Sequence, residues 1–597
     1  MFQWFKKMSG KNSAYGARLS ALRESMEAQG LDGFILSHAD AFQSEYPPPS
    51  ARRLEWLTGF SGSAGVAAVL GSKAVVMSDN RYTIQLAQQT DRALYEVGDV
   101  ADGGLAKWLC ANGKKGQVVG FDPWLFTIKQ IDELQEKVAA GGITLKAAQE
   151  NPVDAIWQGK PQDPQGQVTL FPESVAGLTL RQKRAMIAEA VAKAGGDAVI
   201  LTRPDSVCWL LNVRGGDVEY SPLVLSYAIL YADGGRVDWF AGAGKVPEAV
   251  VVHLGGDVRI LEPSALSEAI EKLKGKVLLD FRHAPARFRT ALEESKISFA
   301  DFADPCVLPK ACKTKTEQAA IEKAHIADGV AMVRFLAWLD REAPKGALTE
   351  IEVADKLESF RRMDTHYKGP SFATIAGFGP NGAIVHYRAS EKTNRKIKPP
   401  GILLLDSGGQ YHWGTTDITR TISIGEPTEE MRRNFTLVLK GHIAVAMAQF
   451  AEGTQGAQID ALARQALKGA GLDYGHGTGH GVGCYLQVHE EAASLSPRGK
   501  ESIRAGMLLS NEPGYYKEGA YGIRIENLVL AEEIERGMLG FRTVTLAPID
   551  RRLIDAGMLS GDECSWLNSY HARVRDVLMP LLDKEAAVWI EKNTRPL

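Results

Sequence analysis

The chain has 597 residues, of which 45% are hydrophobic and 24% charged, so it is long enough for several domains with apolar cores and too apolar for disorder throughout. Its formal net charge is −3, with 69 Lys and Arg against 72 Asp and Glu, which excludes the overall basic field that gathers nucleic acid or anionic lipid. We therefore expect neither nucleic acid nor a membrane as a partner.

The cysteines and the first segment of the chain indicate the compartment. The six cysteines are sparse and form no CxxC pair, which is typical of reduced thiols and argues against a thiolate metal site. Residues 1–30 have one short aromatic patch but neither the apolar core nor the cleavage site of a signal peptide, and no later segment is apolar enough to span a membrane. These features predict an unexported, cytoplasmic protein.

Two segments in the first half of the chain are similar to each other. Residues 32–40, DGFILSHAD, align with residues 197–205, DAVILTRPD; each follows a helical pattern that ends in Gly and precedes a Trp-Leu pair. Each copy continues into further strands, at 65–77 in the first and 223–231 in the second, which is an α/β layer pattern. We interpret the copies as a tandem duplication, joined by a linker at 158–172 that is rich in Gln, Gly and Pro.

The region that follows the two copies has a mixed α and β pattern. An amphipathic helix is predicted over 315–341, where Thr314 and Glu317 form a capping box, and Thr349 with Glu352 repeats that start signal. Further runs predict strands at 371–376, 401–406, 417–424, 507–510 and 522–529, helices at 428–449 and 457–467, and a helical final segment at 550–597.

Acidic side chains occur at unexpected places in this third region. One apolar strand ends in Asp406, and after a Gly-rich turn a Thr-rich strand opens with Asp417, so a hairpin can bring the two carboxylates together. Glu512 and Glu526 each lie at or inside an apolar run, although Glu is rarely buried unless it is paired. Taken singly, each Asp is more often a turn or cap residue, and either Glu could pair with Arg524.

Residues 475–483, GHGTGHGVG, contain five glycines in nine positions. Such a segment has too much glycine for an ordinary helix or core strand, and we interpret it as a place where the backbone closely approaches a ligand. This region contains two Asp, two Glu and one His, a set that predicts an oxygen-rich site for one or two divalent ions such as Mn, Co or Zn. Four carboxylates carry a charge of −4, which two such ions balance.

The order Asp406, Asp417, His480, Glu512 and Glu526 resembles the Asp, Asp, His, Glu, Glu ligand set of the M24 "pita-bread" metallopeptidases. Within that family, three strings and the three-domain layout are similar to the long form of the Xaa-Pro aminopeptidases: HGTGHGVG at 476–483, VHE at 488–490 and WLLNVRGGDV at 209–218.

The resemblance implies a fold that is α/β plus α+β. Two tandem creatinase-like α/β domains are expected at 1–160 and 173–310, the second a duplicate of the first. A pita-bread α+β catalytic domain at 311–549 and a C-terminal extension at 550–597 are expected to follow.

The resemblance also implies the chemistry. Asp406 and Asp417 would hold one metal ion, His480 and Glu512 would hold another, and Glu526 would bridge the two together with Asp417. Mn²⁺ is the first candidate for both ions, with Co²⁺ or Zn²⁺ as the others. A hydroxide that bridges the ions would attack the bond before proline, because a water between two such ions loses a proton near neutral pH. Glu512 would accept and return a proton.

Substrate-binding roles follow from the same resemblance. His386 and His489 match family histidines that donate to the substrate carbonyl and the tetrahedral oxyanion, which makes them catalytic as well as substrate-binding. His476 matches a histidine that lines the pocket. Taken alone, each histidine is more often a core or surface residue. Arg524, beside Glu526, is expected to orient the ligand shell.

One expectation concerns a partner subunit. Residues 78–82, SDNRY, resemble the family's Asp-Gly-Arg-Tyr string, whose Arg reaches the cleft of a partner subunit. Arg81 is therefore a candidate substrate-binding residue, and a homodimer is expected. Asn80 stands where the family has Gly; Asn also tolerates positive φ.

The implied function is removal of the N-terminal residue from peptides with proline at the second position. An Xaa-Pro dipeptidase shares the metal ligands, but the duplicated N-terminal pair and the C-terminal extension favour the aminopeptidase. A methionine aminopeptidase lacks both N-terminal domains. A non-catalytic pita-bread binding protein is the remaining alternative, although such proteins have lost ligands that are all present here.

Overall fold

The computed structural model describes residues 2–597, with the backbone alone for residues 2–13 and Asp102. The chain forms two compact units. The N-terminal unit comprises the chain up to Phe171 together with Thr179–Glu219 and Leu223–Cys306. The C-terminal unit comprises Pro172–Leu178, Tyr220–Pro222 and Val307–Leu597.

The N-terminal unit contains two six-stranded sheets. In spatial order, the strands of the first are Glu96–Asp99, Ala74–Ser78, Val66–Leu70, Gly33–Ser37, Val118–Phe121 and Thr144–Ala147. The strands of the second are Val258–Leu261, Val237–Phe240, Tyr227–Tyr231, Ala198–Leu201, Lys276–Leu279 and Ser298–Asp301. A two-stranded ribbon pairs Thr169–Leu170 with Val213–Arg214.

The two sheets have the same strand order and the same strand directions. Gly33–Ser37 is antiparallel to one neighbour and parallel to the other, and Ala198–Leu201 has the same two kinds of neighbour. These two strands come from the segments that are similar in sequence. The shared topology is what a tandem duplication produces.

Helices accompany both sheets. Those of the first copy are Phe2–Ala28, Arg53–Thr58, Thr83–Gln89, Gly104–Asn112, Ile128–Ala139 and Pro152–Ile156. Those of the second copy are Leu180–Lys193, Pro204–Leu211, Glu248–Leu254, Leu266–Glu271 and Ala286–Glu294.

Two strand predictions in this unit are wrong in extent. Residues 65–77 form a hairpin of two strands, Val66–Leu70 and Ala74–Ser78, because the chain turns between Leu70 and Ala74. Of residues 223–231, only Tyr227–Tyr231 is a strand. The backbone N–H of Leu225 donates to Asp217 Oδ2 at 2.9 Å, so a side chain takes the place of a strand partner.

The helices of the C-terminal unit begin as the capping signals predict. Thr314 Oγ1 accepts from the Glu317 backbone N–H, and the Glu317 carboxylate accepts from the Thr314 N–H; Thr349 and Glu352 make the same exchange. The helices are Glu173–Ala176, Val307–Ala311, Lys315–Glu342, Glu350–Arg361, Glu429–Ala446, Gly456–Gly469, Gly561–Leu578 and Lys584–Asn593.

The strands of the C-terminal unit form four sheets. Two are three-stranded, with Ile375–Phe378, Gly401–Ser407 and Ile418–Ile424 in one and Tyr367–Pro370, Gly409–Tyr411 and Gly414–Thr415 in the other. A six-stranded sheet has the order Gln449–Ala451, Met538–Thr543, Asn527–Glu535, Leu508–Asn511, Gly479–Gly481 and Glu490–Leu495, and a ribbon pairs Gly514–Lys517 with Tyr521–Arg524.

Three predictions in this unit also need correction. Residues 522–529 are not one strand: they span the end of Tyr521–Arg524 and the start of Asn527–Glu535, which lie in different sheets. Residues 371–376 form a strand only from Ile375, because Ser371 Oγ donates to Thr416 O at 2.8 Å where the chain passes between sheets. The Gly-rich segment does contain an inner strand, Gly479–Gly481. A Cβ at Gly479 would lie 1.9 Å from Ser510 O, and one at Gly481 2.4 Å from Glu490 O, so these glycines admit neighbouring backbone rather than a ligand.

Among the residues that the structure describes, no helix has both the length and the hydropathy needed to cross a membrane. Every cysteine is in the thiol form.

Gly441 lies where the helix Glu429–Ala446 packs closely against Gly456–Gly469, and substitution there tests this packing. A Cβ at Gly441 would lie 2.1 Å from Ala463 O, so Gly441→Ala should lower the free energy of unfolding by about 1–3 kcal/mol through overpacking. Gly469, exposed on the second helix with open space around its Cβ position, is the control, since Gly469→Ala should be neutral or stabilising by up to about 1 kcal/mol. Melting temperatures check this, and equal melting temperatures for the two variants would contradict it.

Candidate metal centre

The two aspartates lie at the same end of an antiparallel strand pair. Gly401–Ser407 pairs with Ile418–Ile424, with Asp406 opposite Thr419, and Asp417 immediately precedes the second strand. The predicted hairpin is therefore confirmed, with a smaller hairpin inserted at its turn. Asp406 and Asp417 are 8% and 4% exposed, so both carboxylates are drawn into the interior.

The two glutamates approach from other strands. Glu526 is 1% exposed, its backbone N–H donates to Thr419 O at 3.1 Å, and its Oε2 accepts from Thr419 Oγ1 at 2.7 Å. Glu512 follows the strand Leu508–Asn511, and its backbone N–H donates to Thr478 O at 2.7 Å. Thr478 of the Gly-rich segment and Thr419 of the strand Ile418–Ile424 thus hold the two glutamates.

His480 lies among these carboxylates. Its Nε2 is 3.6 Å from Asp417 Oδ2 and 3.4 Å from Glu512 Oε1. Asp417, His480 and Glu526 each offer a ligand atom within 4.8 Å of the others. His480 Nδ1 lies 2.8 Å from Gly481 O and donates to it as N–H, so Nε2 is the ring atom that faces the carboxylates.

Arg524 provides a buried positive charge for the cluster. It is 2% exposed, and its Nη2 donates to Asp406 Oδ2 at 2.6 Å. Its Nη1 donates to Tyr516 OH at 2.6 Å and its Nε to Thr419 Oγ1 at 3.2 Å. One guanidinium therefore contacts a carboxylate and both of its hydroxyl neighbours.

Burial and mutual repulsion raise the pKa values of three of the carboxyl groups. Burial raises the pKa of Asp406 to about 6 despite the Arg524 charge, and burial with neighbouring carboxylates raises the pKa of Glu512 and that of Glu526. Burial acts to lower the pKa of His480, but the hydrogen bond to Asp417 and the Glu512 charge outweigh it and raise that pKa to about 9.

These residues fit a site for divalent cations. Asp406 Oδ1 is buried and has no hydrogen-bond partner among the described residues, although its other oxygen is bonded to Arg524. When ionised, the four carboxylates carry more negative charge than Arg524 and His480 offset, and a bound cation would balance the excess. Oxygen donors with one imidazole suit a hard or borderline ion.

The remaining predicted residues are placed at different distances from this cluster. The rings of His489 and His480 meet edge to face, with centroids 4.3 Å apart. His476 Nε2 lies 2.8 Å from Tyr516 OH, so the Tyr516 hydroxyl links it to Arg524.

His386 is half-buried and follows the turn Gly379–Ala383, and the residue after it, Tyr387, packs with Leu404, two positions before Asp406. Arg81 belongs to the N-terminal unit, where its Nε and Nη2 donate to Asp79 at 2.9 and 2.7 Å.

Sequence reasoning missed the side chains that hold the residues of the cluster. Ser510 Oγ accepts from the His480 N–H at 2.9 Å and donates to Glu512 Oε1 at 3.0 Å. The buried pair Asp460 and Arg464 holds the Gly-rich segment, because Asp460 Oδ1 accepts from Thr478 Oγ1 at 2.7 Å and Arg464 donates to His476 O at 2.6 Å. An ion pair spaced i, i+4 on a helix face that turns out to be buried was the available signal.

Family models match nearly the whole chain. The model of metallopeptidase family M24 matches residues 319–533, and that of its C-terminal region matches residues 537–597. Two models of the creatinase/prolidase N-terminal domain match residues 18–155 and 159–317.

Curated relatives are similar over almost their full lengths. The probable Xaa-Pro aminopeptidase P of Aspergillus fumigatus is 38% identical over 608 aligned positions, which cover 97% of this chain and 92% of the relative. The protein of the same name from Paracoccidioides brasiliensis is 37% identical, with 97% of this chain and 99% of the relative covered.

Solved structures give the same result for the fold. An X-prolyl aminopeptidase from Caenorhabditis elegans, described as a cytosolic enzyme with a di-nuclear active site, has 32% identity and a TM-score of 0.93, covering 98% of this chain and all of that one. A prolidase from Thermococcus sibiricus has 26% identity and a TM-score of 0.51, covering 62% of this chain and 96% of its own.

The protonation of the cluster predicts how metal binding depends on pH. A divalent ion must displace the proton that His480 carries below about pH 9, so the dissociation constant should fall as pH rises from about 6 towards 9. Calorimetry at about pH 7 in two buffers of different ionisation heat should show release of about one proton or more. Asp417→Asn, which removes one carboxylate charge from the cluster, should bind the ion at least about tenfold more weakly. Binding without proton release would contradict the assignment of His480.

Proposed function

The chain belongs to metallopeptidase family M24, and we propose that it is an Xaa-Pro aminopeptidase, which releases the N-terminal residue from peptides with proline at the second position. The observation that carries this proposal is similarity to enzymes of that name over 97% of the chain, including both N-terminal sheets. The prolidase from Thermococcus sibiricus matches 62% of the chain, which makes the dipeptidase alternative weaker. The five acidic and histidine side chains at the centre disfavour a non-catalytic binding protein.

We propose that these five side chains hold two divalent ions. Asp406 and Asp417 would hold one, His480 and Glu512 would hold the other, and Asp417 and Glu526 would be shared by both. The unpartnered Asp406 oxygen and the mutual repulsion of the carboxylates support this assignment, as does the di-nuclear site of the Caenorhabditis elegans relative. Mn²⁺ is our first candidate because oxygen ligands predominate, with Co²⁺ and Zn²⁺ as the alternatives.

Neighbouring residues determine which atoms of His480 and Glu512 are available to metal and substrate. The Gly481 carbonyl keeps the proton of neutral His480 on Nδ1, so Nε2 is the donor atom. Ser510 occupies Oε1 of Glu512, which leaves Oε2 as the atom that takes a proton and returns it to the leaving amine. Divalent ions, when bound, lower the pKa of a water and polarise the scissile carbonyl.

The histidines around the ligands act on the substrate. His489, whose ring meets that of His480, and His386 donate N–H groups to the carbonyl and to the oxyanion that forms from it. His476 lines the pocket and is oriented by the Tyr516 hydroxyl. Arg524 fixes Asp406 and that same hydroxyl, so its role is to orient the residues that contact metal and substrate.

We further propose the boundaries 1–160, 173–310, 311–549 and 550–597 for the two N-terminal domains, the catalytic domain and the extension. The limits of the family models, which change at 155–159 and at 317–319, support the first two divisions, and the model of the C-terminal region begins at residue 537. A cytoplasmic location is supported by cysteines in the thiol form and by the cytosolic relative.

Substrate choice is tested with two peptides that differ at the second residue. Metal-loaded protein should release Arg from Arg-Pro-Pro at least about a hundredfold faster than from Arg-Ala-Ala, and should cleave the dipeptide Arg-Pro poorly. Chromatography of the free arginine measures all three rates, with Mn²⁺, Co²⁺ and Zn²⁺ loaded separately. Faster cleavage of Arg-Pro than of Arg-Pro-Pro would favour the dipeptidase, and equal rates on the first two peptides would remove proline specificity.

The homodimer expected from the resemblance is also a proposal, in which Arg81 contributes to the substrate cleft of the partner. Sedimentation of the full chain should give a mass twice the 64.9 kDa of one chain. Arg81→Ala should raise the KM for Arg-Pro-Pro without weakening metal binding, because the residue contacts substrate alone. A monomeric, fully active protein would contradict both statements.

A further inference from the structure

A buried carboxylate outside the metal centre collects an unusual number of hydrogen bonds. Glu350, the first residue of the helix Glu350–Arg361, is 0% exposed. Its Oε1 accepts from the Phe378 N–H at 2.8 Å, and its Oε2 accepts from the Tyr387 hydroxyl and the Arg395 N–H, both at 2.8 Å. Asn381 Nδ2 lies 3.0 Å from each oxygen.

These donors come from both sides of His386. Phe378 and Asn381 precede the histidine, Tyr387 follows it directly, and Arg395 lies at the far end of the same connection. Apart from the short turn Gly379–Ala383, residues 379–395 contain no helix or strand, so backbone ladders do not fix this segment. The four donors converge on one side chain instead.

The helix start adds to this arrangement. The Glu350 backbone N–H donates to Arg395 O at 3.1 Å, and the next N–H, that of Ile351, donates to Asn394 Oδ1 at 3.1 Å. The partners of the carboxylate are N–H and O–H dipoles, and the helix N-terminus favours negative charge at this position. Hydrogen bonds to a charged acceptor are roughly twice as strong as neutral ones, so the segment is held firmly.

We propose that Glu350 is a positioning residue for His386, an inference that rests on the proposed role of His386 at the substrate carbonyl. The Glu350 carboxylate makes its hydrogen bonds to Phe378, Asn381, Tyr387 and Arg395, and none of them goes to the imidazole of His386 or to the five residues of the metal centre. It acts by holding the residues on both sides of His386. A displacement of about 1 Å at a catalytic group can cost about a hundredfold in rate, so a residue that holds His386 in place can affect kcat strongly.

The variant Glu350→Gln keeps the shape and removes the charge. Its amide nitrogen would face N–H groups that now bond to oxygen, so at least one donor loses its acceptor. We expect kcat on Arg-Pro-Pro to fall about 10- to 100-fold, with metal affinity unchanged within about twofold. Hydrogen exchange of residues 384–388 should become faster.

Glu352 supplies the matched control on the same helix. It is exposed, and its carboxylate accepts from the Thr349 N–H in a capping box, a task that Gln also performs. Glu352→Gln should therefore leave kcat, metal affinity and hydrogen exchange as in the parent protein. Equal effects of the two substitutions would assign the loss to the helix start and overturn the proposal.

A double-mutant cycle with His386→Ala separates positioning from general stability. If Glu350 acts through His386, Glu350→Gln should reduce kcat/KM less than about twofold once His386 is absent. If the losses from the two substitutions multiply instead, the inference about Glu350 is wrong while the proposed role of His386 stands. Near-parent activity of His386→Ala would instead remove the proposed role of His386, and the inference with it. Should Glu350→Gln fail to fold, Tyr387→Phe, which removes one donor and no charge, carries the same cycle with an expected loss of about three- to tenfold.

Discussion

The C-terminal unit is organised around four carboxylates that are buried together. Such groups repel one another and lose hydration, and for three of them the result is a raised pKa. Only strands that end at the same place can bring them together, and the antiparallel pair Gly401–Ser407 and Ile418–Ile424 does so for the two aspartates. Arg524 and His480 offset part of the charge. The remaining excess is what makes the cluster a site for cations.

Close backbone packing is the second requirement, because the residues of the cluster come from separate strands. Gly479 and Gly481 let the His480 strand pass within contact of Ser510 O and Glu490 O, distances that a Cβ would not allow. Glycine is costly within a strand, so its use here indicates that the position of His480 matters more than the stability of that strand. The Ser510 hydroxyl then bonds both His480 and Glu512.

The cluster was predictable because an acidic residue at the end of an apolar run conflicts with burial, and a conflict of this kind is visible in a sequence. The duplication was visible for a similar reason, since the repeated segments form the central strand of each N-terminal sheet. The neighbours that hold the residues of the cluster were not visible in the sequence. Thr419 and Ser510 both lie in strands, where such residues are ordinary, and only their contacts give them a role. The hairpin at residues 65–77 was missed because its turn interrupts a continuous apolar run only briefly.

The unit buries carboxylates in three ways, and the difference separates structural from binding groups. Glu490 is paired with the ammonium groups of Lys310 and Lys313. Glu350 has both oxygens saturated by neutral donors. Asp406 has one oxygen bonded to Arg524 and the other without a hydrogen-bond partner among the described residues. A saturated carboxylate has no capacity left for a ligand and can only hold the chain, whereas an unsaturated one is costly until a cation binds. Saturation, more than burial, therefore distinguishes the residues that position the site from those that form it.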